Sequence, residues 1–123
     1  MEYNHKFRFQ DLEIWQQSIS IIDDILDIAD NLEKNHKYRF AEQLRGSVLS
    51  ISNNIAEGSG SISKKDFSNF LNIARRSCFE TANILLVVER RSYIDKQQLN
   101  NLLSKLDYMS RRITNFQKAL KRI

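Results

Sequence analysis

The sequence predicts an all-α protein, an antiparallel up-down-up-down four-helix bundle whose copies associate as a homo-oligomer. The 123-residue chain contains no proline and only three glycines, the two residues that cost most inside a helix. Its apolar residues recur at threes and fours in four separate stretches, the spacing of one face of a helix. The stretches together carry more oily surface than a single packed face requires.

The first helix is expected over about residues 11–31, with Leu12, Trp15, Ile19, Ile22, Leu26 and Ala29 as its core stripe. A second, over about 37–57, carries Ala41, Leu44, Val48, Ile51 and Ile55, and Gly58 offers a left-handed residue to end it. Gly46, in its interior, suggests close approach of another backbone. Ser63 with Asp66 three residues on resembles a capping box and opens a third helix over about 63–91, with Phe67, Phe70, Leu71, Ala74, Cys78, Ala82, Leu85 and Val88 on its stripe. Asp95 with Gln98 repeats the pattern and opens a fourth over about 95–121, with Leu99, Leu102, Leu106, Met109, Ile113, Phe116 and Leu120. Short loops between helices of this length favour antiparallel neighbours, and the whole chain, 1–123, is expected to form one domain.

Beyond these stripes, Ile14, Ile21, Ile25, Ile28 and Leu32 widen the apolar arc of the first helix, and Ile84 to Val88 surround the axis of the third. Exposed aliphatics scattered singly are ordinary, but a continuous second seam marks an interface between copies. The residues expected there are Ile14, Ile21, Ile25, Ile28, Leu32, Ile84, Leu86 and Val87.

A lone cysteine, Cys78, allows no intramolecular disulfide, and with a polar start and no apolar run long enough to span a bilayer, a soluble cytoplasmic protein is expected. Charge is uneven. Residues 11–35 hold seven acids against Lys34, and residues 92–123 hold seven bases against Asp95 and Asp107. Such halves attract each other within or between bundles, and the basic one can equally face phosphates.

Catalytic groups are scarce, so no enzymatic activity, metal or cofactor is expected. His5 and His36 each follow a glutamate at E-x-x-H spacing, Glu2 and Glu33, but they fall in the N-terminal tail and at a helix end rather than inside a bundle. Cys78 lies on a core stripe, where a small buried hydrophobe outweighs a nucleophile. The loop GSGSISKK lacks the spacing of a phosphate cradle.

On the second helix Gln43, Ser47, Ser50, Asn54 and Glu57 form a polar stripe beside the apolar one. Two readings stand: a structural hydrogen-bond network between close helices, or a ligand site at Asn54 and Glu57. The basic residues Arg111, Lys118, Lys121 and Arg122 of the fourth helix, with Lys64 and Lys65 and with Lys6 and Arg8, gather toward one end of an up-down-up-down bundle. Phosphate binding is one reading, and favourable placement of cations at a helix C-terminus is the other.

The string QLRGSVLSISNNIAEGSGSISKKDFSNFLNIARRSCFE resembles the signature region of the 23S rRNA intervening-sequence protein family. The resemblance rests on Gln43, Leu44 and Arg45; on Ser50, Ile51, Asn54, Ile55, Ala56, Glu57, Gly58 and Gly60; and on Ser63, Asp66, Phe67, Phe70, Leu71, Ile73, Ala74, Ser77 and Glu80. Phe9, Leu12, Ile14 and Trp15 extend it toward the start. Departures are Gly46 for a larger or basic residue, Ser61 for a frequent arginine, and Arg76 for a frequent glycine, so that Arg76 adds a cation to the third helix where the loop lacks one.

The resemblance implies a closed pentameric ring of four-helix bundles with no known enzymatic activity. Relatives of the family serve diversity-generating retroelements as basic barrels that bind a reverse transcriptase and nucleic acid. For this chain the implied partners are its own copies, RNA or DNA, or a reverse transcriptase or other protein, with Lys64, Lys65, Arg76, Arg111, Lys118, Lys121 and Arg122 as the candidate phosphate contacts.

Overall fold

A computed structural model describes residues 5–122. A short 3-10 turn, Arg8–Asp11, leads into four α-helices: α1 (Glu13–Lys34), α2 (Tyr38–Ser59), α3 (Lys64–Arg90) and α4 (Lys96–Lys121). No strand occurs among the described residues. Cross-helix bonds fix the directions: Arg45 reaches Asp30 and Glu33, Thr81 meets Ser47 while Ser77 meets Ser50, Gln117 meets Ser68, and Arg112 meets Glu13. Between α2 and α3 (47 with 81, 50 with 77) and between α1 and α4 (13 with 112, 24 with 105) one residue number rises as the other falls, as antiparallel neighbours require. The result is an antiparallel four-helix bundle.

Local chemistry sets the helix ends. Ser63 Oγ accepts the Asp66 amide at 3.0 Å, and Asp95 and Gln98 cap each other reciprocally, at 2.7 and 3.1 Å. α1 runs three residues beyond the expected end because a left-handed His36 (φ 63°) lets the Lys37 amide reach back to the Leu32 carbonyl at 2.8 Å. Ser92 (φ 64°) ends α3 in the same way, its neighbour Tyr93 donating to the Val88 carbonyl at 3.0 Å. Both loops at this end therefore hold a side chain in a conformation that favours glycine.

The core stripes of α2 and α4 are where the periodicity puts them. Ala41, Leu44, Val48, Ile51 and Ile55 are fully buried, as are Met109 and Ile113. On α1 the expectation requires correction. Ile14, Ile21, Ile25, Ile28 and Leu32, read as a seam between copies, are buried inside the bundle itself, at 9% exposure or less, and so is Ile84 of α3. Leu12, Trp15, Ile19 and Leu26, read as the centre of the core, are half-buried at its edge. The reason is geometric: α1 packs on α2 along one flank and on α4 along the other, so one bundle uses the whole wide arc. Of the residues assigned to the seam, only Leu86 and Val87 are exposed, at 47% and 38%.

The two interior glycines also exchange roles. A Cβ at Gly46 would meet nothing within 4 Å, so no backbone approaches it. Gly58 does not end α2, which continues through it to Ser59. A Cβ there would lie 2.8 Å from Phe67 Cδ1 and 2.8 Å from Phe70 Cβ. Gly58 is thus a point of close approach between α2 and α3, and the absence of a side chain, not a left-handed φ, is what the site needs. The looser seam is that between α1 and α4, where ion pairs of Lys105 with Asp24 (2.8 Å) and of Arg112 with Glu13 (2.7 Å) bridge partly exposed side chains. Among the described residues no helix is long and apolar enough to cross a membrane.

Opposite effects are expected at the two glycines. Gly46→Ala should raise the unfolding free energy by up to about 1 kcal/mol through helix propensity. Gly58→Ala should lower it by about 1–3 kcal/mol, because the Phe70 Cβ cannot swing away. Urea unfolding of the two variants checks both signs.

Candidate nucleic-acid interface

The end of the bundle that holds the 3-10 turn, the α2–α3 loop and the α4 C-terminus is built on aromatic packing. Phe67 of α3 meets Phe116 of α4 edge to face at 5.5 Å, and the Arg8 guanidinium lies 5.9 Å from the Phe67 ring centre. Arg8 also donates to the Ser59 carbonyl at 3.4 Å, which ties the N-terminal turn to the last residue of α2. Onto this base the sequence places seven cations, Lys6, Arg8, Lys64, Lys65, Lys118, Lys121 and Arg122, against the acids Asp11, Glu13, Glu57 and Asp66. Two acids are spent locally, since Asp11 pairs with Lys6 at 2.8 Å and Glu13 with Arg112 at 2.7 Å.

Five of the seven expected phosphate contacts, Lys64, Lys65, Lys118, Lys121 and Arg122, come together at this end, all exposed. Arg111 and Arg76 do not. Arg111 sits two turns further up α4, paired with Asp107 one turn before it. Arg76 is exposed on α3, about 16 Å along the helix from Lys65 at 1.5 Å per residue.

The helix dipoles divide the remaining cations. Lys118 and Lys121 stand in the last turn of α4, where the negative end of the dipole welcomes them without any ligand. Lys64 and Lys65 are the first two residues of α3, at the positive end, where a cation is disfavoured by a few tenths of a kcal/mol. Helix electrostatics explains the first pair and works against the second.

The opposite end differs. Lys34, Lys37, Arg39, Arg90, Arg91 and Lys96 gather there, but Asp30, Glu33, Glu42, Glu89 and Asp95 are interleaved with them. Arg45 joins α2 to α1 by hydrogen bonds to Asp30 and Glu33, both 2.8 Å, which hold its guanidinium above its ordinary pKa. Arg91, and then Lys37, whose ammonium lies 4.7 Å from the ring centre, lower the Tyr93 phenol from its ordinary value against the opposing effect of burial.

The polar stripe of α2 resolves into two parts. Ser50 and Ser77 hydroxyls lie 2.8 Å apart, Ser47 and Thr81 hydroxyls 2.9 Å apart, and the Asn54 amide donates to Ser50 Oγ at 3.0 Å. Ser77 further reaches the Ile73 carbonyl and Thr81 the Ser77 carbonyl. These atoms satisfy one another, which is the behaviour of a packing network. Gln43 and Glu57 are exposed and lie outside it. Ser77 and Thr81, four residues apart on α3, are the half of the network that the α2 pattern does not reveal.

Cys78 is 1% exposed, and burial, only partly opposed by Arg75, pushes its thiol up to about 12. Arg75 itself leans over the Phe79 ring at 5.4 Å. Of the glutamate–histidine spacings, Glu33 is engaged by Arg45 and His36 Nδ1 lies 2.7 Å from the Tyr38 hydroxyl, while Glu2, the partner of His5, is outside the described residues. No group of three or more His, Cys, Asp or Glu positioned to hold a metal occurs among the described residues.

Fold and surface together define an antiparallel four-helix bundle with a cationic end over an aromatic base. The family model of the 23S rRNA-intervening sequence protein matches residues 10–115, most of the chain, and the chain belongs to that family. A crystal structure of a protein of unknown function from the S23 ribosomal protein family of Bacteroides thetaiotaomicron is similar, with 25% identity and a TM-score of 0.81 over 85% of this chain and 98% of that one. No curated protein matches the chain.

Burial makes one outcome at Cys78 specific. A thiol reagent at pH 8 should leave the folded protein unlabelled and modify one thiol per chain after denaturation. Rapid labelling without denaturant would contradict the placement of Cys78 in the core.

Proposed function

We propose that this chain is a non-enzymatic, homo-oligomeric protein that associates with RNA or other nucleic acid through the cationic end of the bundle. The observation that carries this reading is the pair Lys64 and Lys65 at the start of α3, where the helix dipole disfavours them. Phosphates placed there would draw on both lysines and on the dipole at once. Lys118, Lys121 and Arg122 across the same end would add contacts to the backbone of the nucleic acid, which fix position without reading sequence. Membership of a family named for rRNA intervening sequences agrees with such a partner. Wherever the protein meets it, the setting we propose is the cytoplasm.

Self-association, with the pentameric ring as its form, is supported by apolar groups left outside the monomer core. Phe79 and Leu86, 60% and 47% exposed, lie two turns apart along α3, and Leu49, Ile73 and Val87 are 40%, 43% and 38% exposed. Repetition around a ring would multiply a weak cationic end into a stronger one. The same exposed groups support the second reading, a scaffold or accessory subunit whose partner is another protein, such as a reverse transcriptase.

Binding to a structured RNA should weaken steeply between 50 and 200 mM salt, roughly as the number of phosphates neutralised dictates. Lys65→Glu with Lys118→Glu and Lys121→Glu should flatten that slope, as followed by fluorescence anisotropy. Absent or salt-indifferent binding would leave the scaffold reading in place. Light scattering of the purified protein should give a multiple of the 14.5 kDa chain mass, about fivefold for a pentameric ring. A monomer would remove the ring.

A further inference from the structure

The cationic end also displays oily and aromatic side chains that the phosphate reading does not use. Phe7 is 67% exposed, and its ring lies nearly parallel to that of Phe9, at 16° and 5.7 Å between centres. Phe9 in turn rests on Trp15 at 5.2 Å and 58°. Trp15 and Phe9 are half-buried, so the three rings run from the edge of the core to solvent.

The backbone that carries the outermost ring is tethered. The Phe7 amide donates to Gln10 Oε1 at 2.7 Å, its carbonyl accepts from the Gln10 amide at 3.1 Å, and the next residue, Arg8, is the one bonded to the Ser59 carbonyl. On the neighbouring loop Ile62 is fully exposed, beside Lys65 in a shallow depression. An exposed aromatic ring that shares one end of the fold with several cations is an arrangement with which proteins hold single strands: bases stack on rings while cations follow the phosphates. Duplexes keep their base faces inside the stack and offer a ring nothing to cover.

We infer that this end prefers single-stranded nucleic acid to duplex, an unpaired base extending the Phe9–Phe7 stack while Lys65, Lys118, Lys121 and Arg122 take the flanking phosphates. The inference rests on the nucleic-acid reading above and names the form of nucleic acid that the same site takes. An anionic bilayer would also meet cations and apolar tips, but it calls for side chains that wedge between lipids rather than for rings laid parallel on one another.

The test uses the full chain with a labelled 20-nucleotide mixed-sequence strand and with the same strand in a duplex, as both RNA and DNA, and with phosphatidylserine–phosphatidylcholine vesicles in parallel. The single strand should bind about tenfold more tightly than the duplex, within the range one stacked base supplies. Phe7→Ala should erase that preference without changing the salt slope, Phe7→Trp should keep it, and the fluorescence of the lone Trp15 should change on strand binding. Helical content by circular dichroism verifies that the variants fold.

Equal affinity for strand and duplex, unaltered by Phe7→Ala, would overturn the preference while leaving nucleic-acid binding intact. No binding of either form would overturn both readings. Vesicle binding that depends on Phe7, without strand binding, would assign the surface to a bilayer instead.

Discussion

The close approach of α2 and α3 is the constraint on which the rest of the molecule depends. Gly58 has no side chain, and the space a Cβ would take is occupied by Phe67 and Phe70. Further along the seam the contact is made by small hydroxyls, Ser47 and Ser50 with Thr81 and Ser77, which bond across it. Small groups let two backbones come near, and the bonds between them set the register: a slide by one turn would break both hydroxyl pairs and drive the Phe67 ring against a different residue. Each such bond contributes only about 1 kcal/mol net. Their effect is larger as a specification, because another register would forfeit both at once and leave Ser47, Ser77 and Thr81 only a carbonyl of their own helix.

That register has a consequence at the cationic end. It positions the loop after α2 so that Lys64 and Lys65 begin a helix directly beside the anchor of Arg8 on Ser59 and Phe67. The 3-10 turn, preceded by the exposed Phe7, packs on α1 and α2 at the same end of the bundle as the last turn of α4. The oily core and the hydroxyl ladder hold the helices in register. They fix where charges and rings stand relative to one another, which is what a surface without a deep pocket has to rely on.

Much of this was legible from spacing alone. Helices α2 and α4 could be drawn with their buried faces, since each has a single narrow stripe bounded by polar residues, and the Ser63 and Asp95 caps marked two starts to within one residue. The periodicity of α1 misled because it is too rich. With apolar residues over more than half its circumference, the pattern does not say which part faces the core, and Ile25 and Leu32 look as peripheral as Trp15. Only the presence of two neighbours, α2 and α4, decides it. The glycines were ambiguous for a related reason: a sequence shows that a side chain is missing, and the facing helix shows whether anything needs the room. At the candidate interface, the cations declared themselves by charge, while Phe7 did not. An exposed phenylalanine and a buried one read alike in a sequence, and the parallel stack on Phe9 exists only once the turn is folded.

An even number of antiparallel helices returns the chain to the side from which it set out. The turn that precedes α1 and the last turn of α4 lie at the same pole as the Lys64–Lys65 loop, and the connections at His36 and Ser92 lie at the far one. An acidic group attached near Phe7 or Arg122 would therefore mask the basic pole. Anything to be tethered without touching that surface belongs instead in the connections at His36 or Ser92.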